Sequence, residues 1–169
     1  YSEKQITAPE NIESFIKEVG DALYLATLIS YAQGLSLLVK ASEEYAFDIP
    51  LKDVVKIWRG GCIIRSVLLE KFYSAYTQNP DLSNILLDKD ISEIVKSKLK
   101  SLRSTAAYAV HNGISSLGIQ TALGYFDAYT TESLPVNLIQ AQRDYFGAHT
   151  YQRIDREGIF HTSWKSTNN

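Results

Sequence analysis

The sequence predicts an all-α, multi-helix domain with one long N-terminal helix and an extended C-terminal tail. Along most of the chain, apolar residues recur at threes and fours, the spacing that gathers them on one face of a helix. Alternating β-branched runs long enough for useful strands are absent. After His149 the helical pattern stops, and 152–169 is polar, carries a glycine and reads as irregular with at most short extended pieces.

From Asn11 to Tyr45 the series through Ile12, Phe15, Ile16, Val19, Leu23, Ala26 and Ile29 reads as one long helix or two nearly collinear ones. Gly20 and Gly34 weaken it by up to ~1 kcal/mol each relative to Ala, and are expected to allow close helix contacts. Pro50 disfavours helix at the residue before it, so a loop at 47–50 precedes a short helix from Leu51 to Trp58. The paired glycines Gly60 and Gly61 mark a turn. Helical spacing resumes from Cys62 to Gln78 and stops at Asn79-Pro80. A short helix is expected over 81–87. Asp90 is the candidate cap for a helix from about Ile91 to His111, with Asn112-Gly113 as its stop. Thr121 to Tyr129 is helical again, and Pro135 suits the first turn of the helix carrying Arg143. The connections are short, so 1–169 reads as a single helical domain, about 11–150 helical and 151–169 tail, without internal repeats.

Composition narrows the function. Of 169 residues 45% are hydrophobic and 21% charged, a globular balance. A net charge of -2 argues against general nucleic-acid binding, which needs a basic excess. The single cysteine, Cys62, cannot form a disulfide within the chain, and a reducing cytoplasm is the expected compartment. No apolar run is read as reaching the ~18 residues of a membrane span, and YSEKQITAPEN is no signal peptide. A chain that opens on Tyr1 and holds no Met is expected to be a piece of something longer.

Most chemical motifs are missing. His111, His149 and His161 do not pair with one another or with Cys62 at ligand spacing, so no metal site is expected. Neither nucleotide glycine fingerprint occurs, nor a nucleophile elbow. Cys62, flanked by Gly61, Ile63 and Ile64, reads as a buried small hydrophobe. In IWRGGCIIRS the favoured roles are structural, with Arg59 tying down a turn and Arg65 pairing with a helix carboxylate.

IQAQRDYFGAHTY is different. It sets Arg143, Asp144, Tyr145, Phe146 and His149 in one run. An ideal helix would turn His149 about a third of a circle from Arg143. If the helix ends near Gly147 in a left-handed conformation, His149 swings back beside Arg143. Arg offers a planar fork for phosphate oxygens, and His adds a donor. Such an anion site must rest on side-chain cations, because a helix C-terminus repels anions. The alternative is an Arg–Asp surface pair with a capping His, and chemistry alone does not choose. The tail leans toward a ligand or partner: Arg153, Arg156 and His161 lie there, and so do Ile159, Phe160 and Trp164, which a free tail would leave exposed. It is therefore expected to bury against something, with another subunit the candidate.

NLIQAQRDYFGAHTY, preceded by LP and followed by GIFHTSW, resembles the C-terminal signature of the decarboxylating 6-phosphogluconate dehydrogenase family. ISYAQG, IWRGGCIIRS and NPDLSNILLD resemble further family motifs in family order, so the resemblance covers about Asn11 to Trp164. It implies a cytoplasmic homodimer of the pentose phosphate pathway whose N-terminal Rossmann domain, absent here, binds NADP. The implied reaction oxidises the 3-hydroxyl of 6-phosphogluconate, releases CO2 and protonates the enediol to ribulose 5-phosphate, without a metal. The family's general-base lysine and general-acid glutamate lie upstream, so no catalytic proton-transfer residue is expected in this chain. The Arg and His of the family motif match Arg143 and His149. The resemblance implies that both bind substrate in the neighbouring subunit's site, with Arg143 at the phosphate end. Longer family tails approach the partner's cofactor; for a tail ending in STNN no such contact is assigned. Two other readings stand beside this one: a related β-hydroxyacid dehydrogenase with another substrate, in which QRDYFGAHTY is not expected, and a non-enzymatic helical dimerisation module.

Overall fold

The computed structural model describes residues 6–164. Within them the chain runs through α1 (Ile12–Tyr45), α2 (Leu51–Arg59), α3 (Leu68–Gln78), a 3-10 turn (Ile85–Leu87), α4 (Lys89–His111), α5 (Leu117–Thr130) and α6 (Asn137–Gly147). Two short strands follow, β1 (Tyr151–Gln152) and β2 (Ile159–Phe160). The all-α expectation holds. Contacts gather the chain into two compact units, one up to Asp127 and one from Ala128 onward. The STNN end falls outside the described residues.

The first unit is organised by α1, a single helix of 34 residues. The Asn11 side chain starts it by accepting the Ser14 N–H at 2.9 Å, and Ala46 ends it in the left-handed region. An 18-residue window of α1 reaches a mean hydropathy of 1.6, so, contrary to expectation, this helix is long and apolar enough to cross a membrane. Burial in the core gives that composition another use. Leu25, Leu28, Ile29, Ala32 and Leu35 are sealed from solvent, each Leu or Ile contributing about 1.5–3 kcal/mol of transfer free energy. α4 packs along α1, with the Phe15 and Tyr108 rings tilted against each other at 4.6 Å between centres and Lys98 paired to Asp21. Phe72, Tyr76, Ile85, Ile91 and Leu102 complete the core from the other elements.

Several boundaries differ from the sequence reading. α3 begins at Leu68 rather than at Cys62. The intervening backbone is held by side chains instead of a helical ladder: Tyr31 donates to the Ile64 carbonyl, and Ser66 Oγ accepts the Leu68 N–H. Gly61, at φ 121°, sets the turn before it. Residues 81–84 are not helical, and only Ile85–Leu87 coils, capped by Asn84, which also donates to the Tyr125 hydroxyl at 3.0 Å. The α4 cap is Asp88, not Asp90: its Oδ1 accepts the Ile91 N–H at 3.0 Å. α5 starts four residues before Thr121, at Leu117. Gly20 and Gly34 serve no close contact, since a Cβ on either would meet nothing within 4 Å.

Two stability predictions follow from this packing. Phe72→Ala should cost roughly 3–5 kcal/mol in urea unfolding, because the ring has no solvent exposure. Gly20→Ala should instead raise the unfolding free energy by up to ~1 kcal/mol; a loss there would show that the position is packed after all.

Candidate functional site

The second unit holds the run that stood out in the sequence. Pro135 lies outside α6, whose first residue is Asn137, and Val136 occupies the cap position. At the other end the chain reverses as expected, but through different residues. Gly147 is the last helical residue, and the left-handed positions are Ala148 at φ 50° and Thr150 at φ 64°. Neither is glycine, so each conformation costs roughly 1–2 kcal/mol that other contacts must offset. The Ala148 N–H closes the helix onto the Asp144 carbonyl at 2.9 Å.

This turn brings His149 back onto Arg143, and the guanidinium donates to His149 Nε2. Since Arg can only donate, that ring nitrogen accepts, and the imidazole proton belongs on Nδ1. Both side chains are exposed, and among the described residues no carboxylate pairs with Arg143. The guanidinium therefore keeps most of its donors free for an incoming anion.

Asp144 is not the surface partner of Arg143. It has no solvent exposure and gathers four donors. Oδ1 accepts the Thr150 N–H at 3.0 Å and lies 2.9 Å from His161 Nδ1; Oδ2 accepts the Thr162 N–H and Trp164 Nε1–H, both at 2.9 Å. Desolvation pushes this carboxyl up, but the bonds from His161, the Thr162 amide and Trp164 outweigh it and hold it at about 2. The sequence reading missed this hub. Its signal was the HTSW run, which carries an imidazole and an indole N–H that need an acceptor.

The tail folds back on its own helix. β1 and β2 pair antiparallel with Tyr151 opposite Phe160, and Tyr151 and Thr162 hydroxyls meet at 2.7 Å. Gln140 donates to the Thr150 carbonyl at 2.9 Å, and Tyr145 meets the Trp164 ring edge-on at 5.8 Å. Arg153 is occupied by Asp155 through two bonds of 2.7 Å, and Arg156 lies over Phe160 at 4.8 Å. A cavity of about 530 Å³ lies by the hairpin, lined by Asn137, Gln140, Tyr151, Arg153 and Trp164 among others. Arg143 and His149 do not line it.

Other candidates resolve differently. Cys62 is exposed, not buried, because the 62–66 segment leaves helix and Ile63 projects fully into solvent. Arg59 takes the helix carboxylate, Glu70, and lies 5.8 Å from the Tyr73 ring centre. Arg65, expected to make such a pair, has none among the described residues. No group of three or more His, Cys, Asp or Glu fit to hold a metal occurs among the described residues. Among the described residues no strand leads into a helix through a glycine turn, the arrangement a dinucleotide cradle uses; the two strands there are two residues each and follow the last helix.

Fold and site together define an all-helical domain that presents an exposed Arg–His pair at a helix end, stabilised by a buried carboxylate. The family model of the 6-phosphogluconate dehydrogenase C-terminal domain matches residues 1–164, and the chain belongs to that family. It is 51% identical over 150 residues to the decarboxylating 6-phosphogluconate dehydrogenase of Escherichia coli K12, covering 89% of this chain and 32% of that protein. The NADP(+)-dependent enzyme of Bacillus subtilis is 49% identical over 155 residues, covering 92% and 33%. Among solved structures, Plasmodium falciparum 6-phosphogluconate dehydrogenase, determined in its apo form and in complexes with NADP+ and with 6-phosphogluconate, aligns with a TM-score of 0.89 at 43% identity, over 97% of this chain and 35% of that one. The chain thus spans about a third of the length of the relatives it matches.

The Asp144 hub predicts an acid transition. Its folded pKa of about 2 lies below the ordinary 3.8, so its stabilisation is present above about pH 4 and is lost as pH falls through the folded value. Trp164 fluorescence in a Trp58→Phe background should stay constant from about pH 7 to 5 and change only in the acid range below about 4. A transition centred well above about pH 4 would contradict this role for Asp144.

Proposed function

We propose that this chain is the substrate-completing and dimerising C-terminal domain of an NADP-dependent enzyme. That enzyme oxidatively decarboxylates 6-phosphogluconate to ribulose 5-phosphate and CO2. The observation that carries the reading is the exposed Arg143–His149 pair, brought together by the turn after α6 and left without a carboxylate partner among the described residues. The names of the relatives and the substrate complex of the Plasmodium neighbour support the same substrate.

In this reading Arg143 holds the phosphate of 6-phosphogluconate with its planar fork, and His149 donates beside it. The free guanidinium donors beside the imidazole favour the phosphorylated sugar acid over its unphosphorylated analogue. Oxidation of the 3-hydroxyl would send the C3 hydride to NADP+ and the hydroxyl proton to the general base, and NADP belongs to a domain outside this chain. The general base and general acid belong there too, so 1–169 supplies binding and orientation rather than proton transfer.

The pair serves the neighbouring subunit of a homodimer. Leu138, Tyr145 and Phe146 on the helix that carries Arg143, and Ile159 in the hairpin after it, are each more than 60% exposed, and exposed apolar side chains in such number mark an interface. A cytoplasmic enzyme of the oxidative pentose phosphate pathway is the corresponding cellular setting.

In the full-length enzyme, Arg143→Ala should lower kcat/KM for 6-phosphogluconate at least tenfold, from the loss of a charge-assisted contact of ~1.5–3 kcal/mol. An unchanged value would return Arg143 to a structural role. The chain 1–169 alone should reduce no NADP; measurable turnover would contradict the division of labour.

A further inference from the structure

The turn after α6 poses a mechanical question. Ala148 and Thr150 hold left-handed backbone without being glycine, and His149 sits between them. Something must make this arrangement the stable one, and Asp144 is placed to do it. It follows Arg143 in the chain, and its carboxylate takes the N–H of Thr150, which follows His149. The bond therefore ties together the two points next to the two binding side chains. The remaining three acceptor positions fasten His161, Thr162 and Trp164 onto the same carboxylate, so the tail packs against the turn and keeps water from the bond.

We infer that Asp144 is the positioning residue of this site, its carboxylate fixing the separation of Arg143 and His149 that the substrate's phosphate meets. The inference rests on the reading of that pair as substrate contacts. It makes a chemical demand that only a carboxylate meets: each oxygen accepts two donors. An amide of the same shape has one acceptor oxygen, and in either orientation its NH2 faces two donors. Asp144→Asn should therefore release either the turn or the tail, although it changes neither volume nor hydrophobic surface.

The test is a double-mutant cycle in the full-length enzyme, with KM for 6-phosphogluconate and for NADP measured separately. Asp144→Asn should raise KM for 6-phosphogluconate about tenfold, and leave KM for NADP within about twofold. In an Arg143→Ala background it should add less than about twofold, because the side chain it positions is already gone. Full multiplication of the two losses would overturn the inference, as would parallel rises in both KM values with a lower Tm, which mark general destabilisation. An Arg143→Ala enzyme with altered KM beside a normal Asp144→Asn enzyme would sink the positioning role and keep the substrate reading. A normal Arg143→Ala enzyme would sink both. Should Asp144→Asn not fold, Trp164→Phe removes one donor and keeps the carboxylate; it should raise the same KM by about twofold to tenfold, and no change would count against the inference.

Discussion

A carboxylate without solvent exposure, Asp144, governs the second unit. Buried charge is costly unless it is fully paired, and here four donors converge on two oxygens. None of these donors is in a regular ladder. Two are backbone amides of the irregular tail, one is an indole and one an imidazole. The unit has little regular structure after α6, only two-residue strands, so the hub does the work that a sheet or a helix pair does elsewhere. Its consequence for function is geometric. Left-handed backbone at Ala148 and Thr150 is held in place, and His149 is delivered to Arg143.

The first unit solves a different problem by ordinary means. α1 and α4 are long, and their apolar faces with those of α2 and α3 close a core that excludes water from Phe72, Ile85 and Leu102. Polar groups inside it are mostly capped: Asn84 serves the 3-10 turn and Tyr125 together. Tyr76 Oη and Thr105 Oγ1 are exceptions, enclosed without a partner among the described residues, and burial pushes the Tyr76 hydroxyl pKa up. The cations near this core, Lys98, Arg59 and Arg103, are engaged by Asp21, Glu70 and Asp127. Arg143 and Arg65 differ from them in having no carboxylate partner among the described residues.

Long, strongly periodic elements were legible from sequence because the hydrophobic period alone determines them. α1, α4 and the end of α3 at Asn79 fall within a residue or two of the spacing. The 62–67 segment was not. Its Ile63, Ile64 and Val67 mimic a helical face, yet Ile63 and Val67 are exposed, and the backbone is pinned by the distant Tyr31 hydroxyl and by Ser66 within the segment itself. That pinning also left Cys62 in solvent. The candidate site was half legible. The reversal of His149 onto Arg143 followed from helix geometry and a chain stop. For Asp144 the sequence offered only the alternative of a surface pair with Arg143, because the donors it actually gathers lie up to 20 positions away.

The central claim is that Arg143 works on a substrate bound by another subunit, and subunit mixing tests it most directly. One full-length variant would carry Arg143→Ala; the other would keep Arg143 but be disabled in the upstream catalytic domain. After the impaired Arg143→Ala homodimer and the inactive one exchange subunits, a hybrid holds one site with an intact catalytic domain and an intact Arg143 from its neighbour. The account predicts that activity with 6-phosphogluconate and NADP returns in the mixture. A mixture that exchanges subunits and stays inactive would contradict it, placing Arg143 in the site of its own subunit or in none.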